Sequence, residues 1–206
     1  MSQETASTSP DINVVRGTSG VTLEKYVLDA SNSGEDLRVT SMAFDLITSY
    51  PANTADELTN CQLMDGNTAL NTGTNIVNPS NTVAAGDDTT FTLDGGLVIP
   101  KGTVKTLALR CNFIAGGTTE FVGWSLGNLT TAANQAVVTG ITSGTSVTET
   151  VTTNSGRTLV AQTSGTLTLS LDSSSPSLKL VQAGLTDQTL AVFRLDAVYE
   201  DIRLER

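Results

Sequence analysis

The closing residues of this chain repeat its opening ones. The head reads TASTSPDINVVRG, then TLEKYVLDASNSGEDLRV; the tail reads LDSSSPSLKLVQAG, then TLAVFRLDAVYEDIRLER. Pro10 matches Pro176 and Val15 matches Val181. Leu23, Leu28, Asp29 and Ala30 match Leu190, Leu195, Asp196 and Ala197. Glu35, Asp36 and Arg38 match Glu200, Asp201 and Arg203. The register slips once in each direction, at turn-like stretches where an insertion costs little. Self-similarity of this kind marks a tandem array. The interval from Pro10 to Pro176 is far longer than a solenoid repeat, so each unit is expected to be a whole domain. On that reading Arg206 falls about two strands into a second copy, whose apolar face needs a partner.

Hydrophobic residues make up 38% of the 206, but aromatics only 4%. The core must therefore be built mainly from Val, Leu, Ile and Ala. Thr suits strands because its branched Cβ packs on a pleated surface, and Gly, Asn and Ser supply turns. Apolar alternation persists through most of the chain, which argues against disorder. The net charge is −10, and the 11 basic residues form no stripe. Nucleic-acid binding, which needs Lys and Arg against phosphates, is not expected. Attraction to anionic membranes is not expected either. No apolar run approaches the roughly 18–20 residues of a bilayer span, so no membrane insertion is expected. MSQETASTSPD has neither the basic start nor the apolar stretch of a secretion signal.

The periodicity predicts short strands at 12–15, 21–30, 37–47, 58–64, 89–93, 97–99, 104–113, 120–126, 136–141, 146–151, 157–162 and 166–171. In the long strand at 37–47 the apolar phase changes. Leu37 and Val39 share one parity; Met42, Phe44 and Leu46 share the other. Such a switch predicts a β-bulge or a crossing between sheets between Val39 and Met42. Many short strands at even spacing predict an all-β, Ig-like antiparallel sandwich followed by the opening strands of a second copy. The expected organisation is an extension at 1–10, a sandwich domain at 11–172 closed by the strand at 166–171, a Ser/Pro linker at 173–177 and a partial repeat at 178–206.

Several phrases support this grammar. GLVIPKGTVKTLALRCNF (96–113) resembles the strand–turn–strand hairpin of bacterial extracellular Ig-like repeats. LTNCQLMDGNTAL (58–70) resembles a strand-turn of the same modules, and SGTLTLSLDSSSP with VQAG resembles their domain junction. The resemblance is to the tandem modules of large bacterial surface proteins, and it covers most of residues 10–206. It implies a stalk, surface-layer or filament segment, with no catalytic residue or cofactor to carry over. At the positions of Cys61 and Cys111 those modules often hold Val and Ala, so cysteine at both suggests a paired substitution.

The chain has no histidine, which removes Ser-His-Asp and Cys-His nucleophiles and the commonest zinc ligand. Cys61 shares a strand face with Leu63, and Cys111 shares one with Leu109 and Phe113. Both are expected to point into the core. They read either as a disulfide formed outside the cell or as two buried thiols packing as small hydrophobes, the disulfide being favoured. Carboxylates at Asp65, Asp87, Asp88 and Asp94 could hold Ca²⁺, but no EF-hand spacing is present, and solvated turn residues are the favoured reading. No metal, cofactor or catalytic residue is therefore assigned. Trp124 alternates with Val122 and Leu126 and reads as core rather than as a sugar platform.

The expected function is structural: a non-enzymatic extracellular module of a bacterial surface stalk or self-assembling filament, its partner being further copies of itself. The expected assembly face is Leu178, Leu180, Phe193, Leu195, Ile202 and Leu204, with Ala197 beside them. An adhesin reading glycan or protein through the 71–88 loop is the alternative class, and a viral fibre or decoration protein shares the same grammar.

Overall fold

A computed structural model describes residues 2–3, 12–50, 57–80, 88–116, 120–125, 135–152, 159–177, 180 and 182–205, with the backbone alone at 2–3, 12, 46–50 and 120–125. The described residues are all-β, with no α-helix and a short 3₁₀ turn at Gly73–Asn75. The chain divides into two compact units, Met1–Thr163 and Ser164–Arg206.

In the first unit the strands are β1 (Ser2–Gln3), β2 (Ile12–Val15), β3 (Val21–Asp29), β4 (Leu37–Tyr50), β5 (Leu58–Asp65), β6 (Thr68–Ala69), β7 (Asp88–Ile99), β8 (Val104–Phe113), β9 (Glu120–Ser125), β10 (Ala136–Gly140) and β11 (Leu159–Gln162). One sheet has the order β1-β3-β8-β5-β6. The other has the order β10-β4-β9-β11-β2, with β7 also paired to β4. Alternating positions of both sheets meet in one core. Leu23, Tyr26 and Leu28 come from β3, Leu107, Leu109 and Phe113 from β8, Val39, Met42 and Phe44 from β4, and Phe91 and Ile99 from β7. Few aromatics suffice because they cluster. The rings of Tyr26 and Phe44 stack at 4.4 Å, and Phe91 meets Phe44 edge-on at 5.3 Å, the arrangements that ring quadrupoles favour.

The phase switch in β4 is a bulge. Val39 pairs Leu97 on β7 and Val138 on β10, and Ser41 pairs Thr92 and Val137. Thr40 is skipped in both ladders. One extra residue turns the following side chains over, so Val39 and then Met42 and Phe44 are all buried. On the β7 side the compensation is larger, because Leu93-Asp94-Gly95-Gly96 loops out between Thr92 and Leu97. The expected strands 89–93 and 97–99 are thus two runs of one strand against β4. Gly95 and Gly96 have φ of 69° and 76°, a region that L side chains avoid.

The strands differ from the expected ones in three places. The sandwich is not wholly antiparallel, since β2 runs parallel to β11, Ile12 to Val15 facing Leu159 to Gln162. A parallel pair needs a long crossover, and here the crossover is nearly the whole first unit, which brings the short strands β2 and β11 together. Residues 146–151 form no strand; Ser146 makes a lone bridge to Thr139, and Val147 packs against the core. The strand at Thr166–Leu171 does not close the first unit. That unit ends at β11, where Arg16 N donates to Gln162 O at 3.0 Å. The chain then turns at Thr163-Ser164-Gly165, so the boundary lies before the expected linker at 173–177.

The second unit is a two-stranded antiparallel ladder of β12 (Thr166–Leu171) and β13 (Phe193–Val198). Leu167 pairs Ala197, Leu169 pairs Leu195 and Leu171 pairs Phe193. Alternation places these six side chains on one face.

Candidate functional site

Two places carry chemistry or surface beyond that of an ordinary core: the apolar face of the second unit and a buried acid in the first.

The face is uncovered. Leu169 and Leu171 are exposed, as are Phe193 and Leu195, and Leu180 and Leu204 stand in solvent. Ile202 is half-buried, and Leu178 lies outside the described residues. The structure therefore brings Phe193, Leu195 and Ala197 onto one face with Leu167, Leu169 and Leu171, which come from the strand assigned by sequence to the first domain. The ladder beneath them matches one in the first unit. There β1 pairs β3, Ser2 facing Val27 and Gln3 facing Tyr26. In the tail Ser170 faces Arg194 and Leu171 faces Phe193. Phe193, Arg194 and Leu195 thus stand on β13 as Tyr26, Val27 and Leu28 stand on β3, each strand with an antiparallel neighbour on one edge. In the first unit Tyr26, Leu28 and Ala30 are 0%, 2% and 3% exposed. Their tail counterparts Phe193, Leu195 and Ala197 are all exposed. The other edge of β3 carries β8, Tyr26 facing Leu107 and Val27 facing Thr106. Among the described residues no strand occupies that edge of β13.

A second correspondence involves glutamates. Glu35, half-buried after β3, accepts the amides of Thr142 and Ser143 at 2.7 and 2.8 Å. Bonding to Ser143 first, and to Thr142, holds its carboxyl below the usual range. Its tail match Glu200 accepts the amide of Gly165 at 2.8 Å. The two turns share the letters TSGT, at 142–145 and 163–166, a signal available in the sequence.

The buried acid is Asp45, in the apolar run AFDLI of β4. It faces Asp88 of β7 and, on its other side, the backbone of Ser125 of β9. Asp45 is 1% exposed, and both carboxylate oxygens are buried without a hydrogen-bond donor. A hydrogen bond through a proton shared with Asp88 is open to it. Burial first, then that shared proton and the neighbouring charge, push its pKa up to about 7. The signal, an acid inside an apolar strand, was legible but was not singled out.

The other acids named from sequence are already engaged. Asp65 pairs with Lys105. Asp94 accepts the amide and hydroxyl of Thr72 at 2.7 and 2.5 Å and the amide of the Asn75 side chain at 2.7 Å. These bonds, the Thr72 hydroxyl first, lower its pKa. Asp87 lies outside the described residues, as does the side chain of Trp124. Residues 71–80 are pinned: buried Asn71 accepts the Leu63 amide at 2.7 Å and donates to Asn75 O at 2.9 Å, and Val77 bridges Cys61.

Cys61 and Cys111 are joined as a disulfide. They lie on the adjacent strands β5 and β8, where Thr59 pairs Asn112 and Gln62 pairs Arg110. The bulge between them sets Asn60 at φ 51° and brings the two Cα atoms to 4.1 Å. Both residues are buried.

No helix among the described residues is long and apolar enough to cross a membrane. The chain matches no protein-family model, no curated protein and no solved structure with significance.

Proposed function

We propose that this protein is a non-enzymatic, extracellular structural module of a tandem Ig-like array, such as a surface stalk or filament. Residues 164–206 open a second copy, and their β13 edge pairs with a strand of a neighbouring subunit. The observation that carries this reading is the match of β13 to β3, with the same apolar face buried in one and bare in the other. A two-stranded ladder is marginal in water, and an open edge beside apolar side chains is a template for strand addition. The strand such an edge takes is shown by β8, which lies on the corresponding edge of β3 and is itself paired on its other side to β5; we take the partner to be a further copy of this chain. An acceptor at one end of a chain and a donor elsewhere make a contact that does not close on itself, and repetition yields a filament. The disulfide supports an oxidising compartment.

Removing residues 164–206 tests this reading. The shortened protein is expected to stay folded and to elute as a monomer, while the full chain self-associates as its concentration rises. Assembly by the shortened protein, or a full chain that stays monomeric, would contradict it.

A further inference from the structure

We infer that Asp45 and Asp88 form a Ca²⁺ site on β4 and β7. The two residues are directly opposite in an antiparallel ladder, so their side chains share a face with Cβ atoms about 4.5–5.5 Å apart. Like charges in that position repel, and here one partner is shut off from water. Both oxygens of Asp45 are buried and lack a donor. A buried carboxylate needs a compensating charge or hydrogen bonds. Among the described residues, no cationic side chain is hydrogen-bonded to Asp45. Arg16 is bonded to Glu57 and to Gly116 O, and Lys105 is bonded to Asp65. The titratable group that senses Asp45 is Tyr26, which adds no positive charge.

A hard divalent cation removes the repulsion and satisfies both acids at once. Ca²⁺ fits better than Mg²⁺, because it accepts irregular oxygen shells at roughly 2.3–2.6 Å, whereas Mg²⁺ demands near-octahedral geometry. Asp88 is exposed, so water can enter and complete the shell. With only two carboxylates, the affinity belongs in the weak range of about 10⁻⁴–10⁻³ M. Such a cation would tie β4 to β7 at the Asp45–Asp88 end of the ladder that follows the Thr40 bulge.

The test is calcium chloride titrated into the full chain after chelator treatment and dialysis, read by calorimetry and by the thermal midpoint. One Ca²⁺ per chain is expected, with a midpoint that rises with millimolar Ca²⁺ and not with equal NaCl. Asp45→Asn and Asp88→Asn should each weaken binding about 10-fold or more. Asp88→Asn, at an exposed position, keeps the test decisive should Asp45→Asn fail to fold. No heat and no midpoint shift at 10 mM-scale Ca²⁺ (about tenfold above the expected range) would overturn the site. So would wild-type binding by Asp88→Asn. A pair that simply shares a proton, with stability indifferent to Ca²⁺ at every pH, would overturn it too.

Discussion

Leu195 on β13 is the tail match of Leu28 on β3, yet Leu28 is 2% exposed and Leu195 46%. The same sequence position is core in one unit and surface in the other. Substitutions should report that difference. Phe44→Ala, which removes the ring between Tyr26 and Phe91, is expected to cost the first unit about 3–5 kcal/mol. Phe193→Ser, on the bare face, is expected to change unfolding of the first unit by less than about 0.5 kcal/mol while reducing self-association. Denaturant unfolding and light scattering on the two variants check both halves.

The disulfide should contribute chiefly through the unfolded chain. Its 50-residue separation corresponds to about 4 kcal/mol of loop-closure entropy, as an upper figure. The double variant Cys61→Ala/Cys111→Ala is expected to lose part of that and to unfold at lower denaturant. Mass spectrometry under non-reducing conditions should find no alkylatable thiol in the oxidised protein; two free thiols would contradict the pairing.

Gly96 is held by the β4 bulge. Its φ is +76°, and a Cβ there would lie 3.1 Å from the carbonyl oxygen of Val39. Gly96→Ala is expected to destabilise by about 1–3 kcal/mol. Gly95 has φ +69° but open space around its Cβ position, so Gly95→Ala should cost less. Thermal unfolding of the two variants ranks them.

Asp45 gives a pH signature in calcium-free buffer. Its folded pKa lies near 7, above the ordinary 3.8. Between these values the folded state holds a proton that the unfolded state has released. The contribution to stability is therefore complete below about pH 4 and is lost as pH rises through about 7. Asp45→Asn should flatten that slope. A midpoint equally pH-dependent in the variant would assign the slope to other groups.

Much of this architecture was legible in the chain. The parity change between Val39 and Met42 located the Thr40 bulge, because a one-residue insertion must invert the buried face. Alternation through Leu107, Leu109, Cys111 and Phe113 located the β8 core face and placed both cysteines inward. Strand partners were harder. Nothing in Leu167-Thr168-Leu169 says whether it pairs backward or forward; in the structure it pairs forward, with Phe193–Val198. The parallel β2–β11 pair was equally hidden, since alternation is blind to strand direction. Asp45 was passed over because its meaning depends on Asp88, which only the ladder brings opposite it.

The central claim is that β13 receives a strand from another copy. Hydrogen exchange on the full chain, followed by mass spectrometry across a concentration series, reads that edge directly. The account predicts that amides within Phe193–Val198 gain protection as concentration rises, while those of β4 and β8 stay unchanged. Exchange at Phe193–Val198 that is the same at every concentration would contradict it.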